Sequence, residues 1–205
     1  MHLDHFSFLA PIYDRLIKYS PSPSLNRIAG LPTGGRLLDA GGGTGRVSGT
    51  LRDLAGQILV ADLSTGMLKQ AAAKDLQTAC ARTERLPFPS ASFERILMVD
   101  ALHHVCSQNE TARELWRVLT PGGRIVILEP DIHNFAVKLI ALFEKATFMR
   151  SRFISGAQIA NLFSFANGTA YIEYEGYNVW VVIEKEKGSL RKCFENPKST
   201  GDERR

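Results

Sequence analysis

The sequence predicts an α/β fold: a mostly parallel sheet with helices on both faces and an antiparallel hairpin at its C-terminal end. Three observations carry that prediction. Short apolar runs alternate with helical stretches from residue 36 to residue 128, the spacing of successive βαβ units. Residues 169–175 and 178–184 are adjacent strand-like runs parted only by Gly176-Tyr177, as in a hairpin. At the end of the first strand lies Leu37-Leu38-Asp39-Ala40-Gly41-Gly42-Gly43-Thr44-Gly45-Arg46, an apolar run that ends on a carboxylate and then on glycines. A turn free of side chains lets backbone pass close to a ligand.

Residues 36–39 read as the first strand, and Val47, Leu51 and Leu54 mark the buried face of a helix starting directly after the glycine turn. Residues 58–62 are the second strand, followed by a helix through Met67, Leu68 and the alanines at 71–73. A short third strand spans 78–81, and a fourth spans 95–99 and ends at Asp100. Residues 109–119 are helical and stop before Pro121-Gly122-Gly123, a breaker and turn. Residues 124–128 are the fifth strand, and the hairpin brings the total to seven.

The 205 residues suit one well-buried domain, expected over 1–186, with a disordered basic tail over 187–205. The net charge is +4, and the tail carries six basic against three acidic residues, so it supplies three of the four excess charges. The remaining chain is close to neutral, which argues against a nucleic-acid partner. Cys80, Cys106 and Cys193 form no CxxC pair and read as free thiols. The apolar patch at residues 6–12 is short and preceded by Asp4 and His5, and no apolar run reaches 18 residues. A soluble, cytoplasmic protein without a membrane-spanning segment is expected.

The glycine turn discriminates between two ligand classes. In the dinucleotide fingerprint GxGxxG the third small residue permits close helix–strand packing, and here Arg46 stands in that place. That argues against an NAD-type oxidoreductase. An acid followed by glycines two, four and six residues later fits at Asp39, Gly41, Gly43 and Gly45. Asp62 lies 21 residues beyond Gly41, the distance at which a carboxylate grips a ribose in folds of this kind.

These residues resemble motif I of the class I S-adenosylmethionine-dependent methyltransferases, and the resemblance runs in order over residues 8–130. Asp62-Leu63-Ser64 with Met67-Leu68 resembles the end of that family's second strand, and residues 84–89 with Phe93-Glu94 its approach to the fourth. Ala101-Leu102-His103-His104-Val105 resembles the following turn, and residues 117–123 the lead into strand five. The resembling branch includes the ubiquinone/menaquinone C-methyltransferases, and residues 8–14, with Tyr13, are similar to its N-terminal lid helix (expected within residues 1–30). Two departures stand out. Arg82 replaces an acid that contacts the adenine amino group, and His103-His104 replaces the Arg-Asn pair of the quinone enzymes. The second argues against a quinone methyltransferase.

The resemblance implies a Rossmann-like, seven-stranded fold, S-adenosylmethionine as cofactor and a small-molecule acceptor, with no metal. It places Asp39, Gly41, Gly42, Gly43 and Gly45 around the cofactor's amino-acid end, and Asp62 on the ribose hydroxyls. It puts Leu63, Met67, Thr83 and Glu84 along the nucleoside side, Asp100 towards the methyl, and Tyr13 over the cofactor as part of the lid or else in the core. His103 and His104 lie where acceptors bind; either a neutral imidazole serves as general base, or one packs in the turn while the other faces water. Residues 131–168, with Phe135, Leu139, Ile140, Leu142, Phe143, Phe148 and Met149, read as a helix packed on the domain or as the wall of a lipophilic acceptor pocket. Arg82 also leaves open a non-catalytic S-adenosylmethionine-binding protein. A nucleic-acid methyltransferase is disfavoured, because no Asn- or Asp-Pro-Pro-aromatic element occurs.

Overall fold

The computed structural model describes residues 23–133 and 151–187. The expected lid helix with Tyr13, the apolar residues from Phe135 to Met149 and the tail beyond Lys187 lie outside them. The elements are α1 (Pro23–Ala29), β1 (Thr33–Ala40), β2 (Ala55–Asp62), α2 (Thr65–Ala72), β3 (Gln77–Cys80), β4 (Phe93–Val99), α3 (Gln108–Val118), β5 (Leu119–Pro130), α4 (Gly156–Asn161), β6 (Gly168–Glu175) and β7 (Asn178–Lys185). They build one seven-stranded sheet in the order β3-β2-β1-β4-β5-β7-β6. The first five strands run parallel, and β7 is antiparallel to both β5 and β6.

Alternation along the strands divides the core between the two faces of the sheet. Leu37, Leu97, Val126 and Trp180 join Leu25 and Ile28 of α1 and the loop residues Val47 and Leu51 on one face. Val60 meets Leu68 and Ala71 of α2. Leu38, Ile96, Ile125 and Val181 face Leu115 of α3 and Ile159 of α4 on the other. Central strands covered on both faces lose alternation and become continuous apolar runs, which is why β1, β4 and β5 are so legible in the sequence.

Serine hydroxyls define the helix starts. Ser64 accepts from the Met67 amide, Ser107 from that of Glu110, and Ser155 forms a reciprocal capping box with Gln158. Arg117, near the end of α3, pairs with Glu114 and donates to the carbonyls of Leu86 and Phe88. One guanidinium therefore fixes the approach to β4 against the helix that succeeds it.

Two local expectations are corrected. The helix predicted through Val47, Leu51 and Leu54 is instead a pair of 3₁₀ turns, Ser48–Thr50 and Arg52–Leu54. Gly45, Ser48, Gly49 and Thr50 are weak helix formers, and two of their hydroxyls bond locally: Ser48 to Asp39 and Thr50 to the Val47 carbonyl. The apolar spacing still holds, since Val47 and Leu51 are buried. Pro121-Gly122-Gly123 is likewise not a turn between helix and strand. It lies within β5, where the pairing with β4 shifts register between Phe93 and Arg95 and Gly122 adopts φ +78°.

Gly45 is the position where the glycine turn meets α2. Its φ is +69°, and a Cβ there would lie 2.4 Å from Leu76 Cδ1 and 3.2 Å from Ala71 Cβ. Gly49, four residues on, has nothing within 4 Å of a built Cβ. Gly45→Ala should therefore destabilise the protein by about 1–3 kcal/mol, while Gly49→Ala should be neutral or slightly stabilising. Chemical denaturation of the two variants checks this; equal effects would contradict the close approach.

Candidate active site

In the sheet, β1 lies between β2 and β4, so the chain leaves it in opposite directions on its two sides. The C-terminal ends of these strands open a crevice at that reversal, the place where open α/β sheets bind ligands. Three loops and a strand end meet there: 41–47 after β1, 63–64 after β2, 100–104 after β4 and the end of β5 at Glu129.

Asp39 is the anchor of the first loop. It lies two residues beyond Leu37 on the same strand face, beneath the turn that carries Val47 and Ser48, and is 1% exposed. Its Oδ2 accepts from Ser48 Oγ at 2.7 Å, while Oδ1 has no hydrogen-bond partner among the described residues. A Cβ on Gly42 would come within 2.4 Å of the Asp39 carboxyl carbon, so that glycine is required for the carboxylate to sit under the turn. Burial pushes the Asp39 carboxyl up to about 6, opposed by the Ser48 hydrogen bond and the nearby charge of Arg46. An acid so placed favours a cationic ligand.

The loop is held from the other side by β2. The amides of Gly41 and Gly42 donate to the Ala61 carbonyl, and that of Gly43 to Asp62 Oδ2 at 2.9 Å. Asp62 Oδ1 accepts from the Ser64 amide at 2.7 Å. Each carboxylate oxygen has two lone pairs, so Asp62 can orient the glycine turn and still accept from a diol. Leu63 beside it is 61% exposed, Met67 is buried in the first turn of α2, and Lys74 Nζ donates to the Thr44 carbonyl at 2.8 Å.

Thr83 is buried and its hydroxyl pairs with that of Thr111. The Glu84 carboxylate accepts from the amides of Cys106 and Ser107 and lies 3.6 Å from Arg82, so its side chain orders the start of α3. Asp100 has φ +51° and is ion-paired with Arg46 at 2.8 Å. Tyr13 lies outside the described residues.

Sequence reasoning missed Glu129. It is 3% exposed at the end of β5, and its carboxylate collects three donors. Oε1 accepts from the amides of Ala101 and Leu102 at 3.0 and 2.7 Å, and Oε2 meets His103 Nδ1 at 2.5 Å. The available signal was a carboxylate closing an otherwise apolar strand, directly before Pro130. His103 is 5% exposed, its ring stacked on Phe153 with centroids 4.3 Å apart and tilted against His104 at 3.9 Å. The half-buried His104 contacts Ser151 through Nδ1, and burial together with the neighbouring His103 pushes its imidazole down to about 3. Among the described residues no cluster of three or more His, Cys, Asp or Glu is arranged to hold a metal, and no helix is long and apolar enough to cross a membrane.

Comparison with known proteins agrees with this geometry. Residues 38–127 match the methyltransferase domain family. The ubiquinone/menaquinone biosynthesis C-methyltransferase UbiE of Pseudomonas putida strain GB-1 is 34% identical over 113 residues, which cover 50% of this chain and 44% of that protein. The chain thus spans less than half the length of the curated relatives it matches. Among solved structures, a SAM-dependent methyltransferase of Thermotoga maritima, described as a possible histamine N-methyltransferase, superposes with a TM-score of 0.71 at 22% identity, covering 88% of this chain and 98% of that one. DhpI, solved as its SAH complex, gives 0.69 at 15% identity over 90% and 95%. At these identities the structural likeness is one of fold. With the buried Asp39, the glycine turn and Asp62 in their places, residues 38–127 match the methyltransferase domain family, on a fold shared with S-adenosylmethionine-dependent methyltransferases.

Proposed function

We propose that the protein transfers the methyl group of S-adenosylmethionine to a small lipophilic or aromatic acceptor. The observation that carries the reading is the frame of Asp39, the glycine turn and Asp62, with Asp39 Oδ1 buried and unpartnered among the described residues. In this reading Asp39 and Gly41, Gly42, Gly43 and Gly45 hold the amino-acid end of the cofactor, and Asp62 the ribose. Leu63, Met67, Thr83 and Glu84 border the adenosine, with Tyr13 over it. Asp100, His103 and His104 face the acceptor.

The cofactor supplies a methyl already activated by a sulfonium, so the task left to the chain is to align two reactants. Alignment at near-attack distance can lower a barrier by as much as ~7–11 kcal/mol. If the acceptor must lose a proton, the two histidines are not equivalent. His104, pushed down to about 3, holds a proton poorly, whereas His103 has its Nδ1 fixed by Glu129. His103 is therefore assigned the proton-accepting role, worth about 10²–10⁴-fold in rate. The aromatic stack of His103, His104 and Phe153 supports a flat or lipophilic acceptor over a charged one.

Titration calorimetry tests the cofactor frame. S-adenosylhomocysteine should bind, and Asp62→Ala should weaken it by at least tenfold through loss of charge-assisted hydrogen bonds of about 1.5–3 kcal/mol. Unchanged affinity in that variant would remove the ribose assignment.

The raised Asp39 carboxyl gives a signed pH dependence. Its folded value of about 6 lies above the 3.8 of an ordinary aspartate, so its contribution to stability is present below about pH 4 and lost as pH rises through 6. The cost at neutral pH is of order 3 kcal/mol. Pairing with the ligand's ammonium requires the ionised form, so S-adenosylhomocysteine affinity should rise between about pH 5 and 7. Asp39→Asn should flatten that rise, weaken binding and raise the melting temperature of the ligand-free protein at about pH 8. A variant with undiminished affinity and the wild-type pH profile would contradict the ammonium assignment.

A screen of quinols, phenols, amines and lipid head groups with methyl-labelled cofactor tests the acceptor. Labelling is expected in the aromatic or lipophilic set, with His103→Asn slowing turnover about 10²-fold and His104→Asn far less. Labelling confined to soluble, charged acceptors would overturn the lipophilic reading.

A further inference from the structure

The cofactor contacts proposed above leave one ion pair of the crevice unused. Arg46 Nη2 donates to Asp100 Oδ2 at 2.8 Å, joining the loop after β1 to the loop after the neighbouring strand β4. The Arg46 side chain is 13% exposed and that of Asp100 37%, so the pair closes the rim of the crevice and keeps some water on the carboxylate. Asp100 holds φ +51°, a conformation few residues other than glycine adopt readily, and its amide is fixed to the Leu128 carbonyl at 2.9 Å. The carboxylate is thereby aimed back across the glycine turn instead of outward along β4. The charge of Arg46 also reaches Asp39, where it opposes the effect of burial.

Asp39, Arg46 and Asp100, with Asp62 and Lys74 on the far side of the loop, place five charges around one turn, with a sum of −1 when Asp39 is ionised. The amino-acid end of S-adenosylmethionine carries an ammonium, a carboxylate and the adjacent sulfonium, with a sum of +1. The two sets are complementary in net charge. A partly solvated ion pair is weak, whereas a guanidinium and a carboxylate can pair through two parallel hydrogen bonds.

We infer that Arg46 reads the cofactor's α-carboxylate, and that the Arg46–Asp100 pair is a placeholder which the zwitterionic end of the cofactor opens. Arg46 exchanges Asp100 for the ligand carboxylate, and Asp100 is released towards the methyl and the acceptor, the side assigned to it above. Arg46 thus sets selectivity for a complete amino-acid end over truncated adenosyl thioethers. This role for Arg46 rests on the cofactor assignment of the preceding section.

The test compares S-adenosylhomocysteine with its decarboxylated analogue, S-adenosyl-3-thiopropylamine, by calorimetry on wild type, Arg46→Met and Arg46→Lys, each first checked for a cooperative thermal melt. Wild type should bind the complete ligand at least tenfold more tightly than the analogue. Arg46→Met should reduce that preference to less than twofold while leaving affinity for the analogue within about twofold. Arg46→Lys, which keeps the charge but not the fork, should fall between them and serves as the comparison if the methionine variant does not fold. Wild type binding neither compound would overturn the cofactor assignment itself. Wild type binding both equally, or full preference retained in the Arg46 variants, would overturn this inference alone.

Discussion

The glycine turn at the C-terminal edge of this sheet depends on one carboxylate that is buried and only half satisfied. Asp39 ends the innermost apolar run of β1, where a side chain pointing to the Leu37 face must enter the core. One oxygen is met by Ser48, and the other has no partner among the described residues. Leaving a buried acceptor without a donor costs about 1–3 kcal/mol, a large share of a domain's stability. The surrounding chain is shaped around that cost. Gly42 has no side chain because the carboxylate occupies the space, and the chain turns into 3₁₀ geometry because Ser48 must face Asp39.

A second carboxylate organises the neighbouring loop in the opposite manner. Glu129 is nearly as buried as Asp39, yet it gathers the amides of Ala101 and Leu102 and the Nδ1 of His103. Asp39 keeps one oxygen without a hydrogen-bond partner among the described residues, whereas Glu129 meets the needs of a loop. Asp62 stands between these cases, because it orients Gly43 and Ser64 while retaining acceptor capacity. The crevice is thus held by three acids at the ends of β1, β2 and β5, each with a distinct role.

The strands were legible because burial on both sides leaves uninterrupted apolar runs, and the hairpin because Gly176-Tyr177 separates two of them. Asp39, the glycines and Asp62 were legible as a turn because their types and spacing fit a buried acid, glycines at positive φ and a second carboxylate that accepts from the turn. The segment after the turn was misread since Val47 and Leu51 have helical spacing, and apolar spacing does not distinguish an α-helix from consecutive 3₁₀ turns. Pro121-Gly122-Gly123 was misread because a bulge and a turn require the same residues. Arg46 was informative only as an obstacle to the dinucleotide pattern; its partner Asp100 is 54 residues away in sequence. Glu129 was missed for the same reason, since its three donors come from another loop and local pattern carries no trace of such pairings.

Asp39 is thus an acid whose ionisation is disfavoured by burial, and in the proposed reading the cofactor's ammonium completes it. Carbon-13 NMR titration of the Asp39 carboxyl, with and without S-adenosylhomocysteine, measures this directly. A midpoint near 6 is expected in the ligand-free protein, with a downward shift when the ligand is bound. A midpoint near the ordinary aspartate value of about 3.9 without ligand, or one that the ligand leaves unmoved, would contradict it.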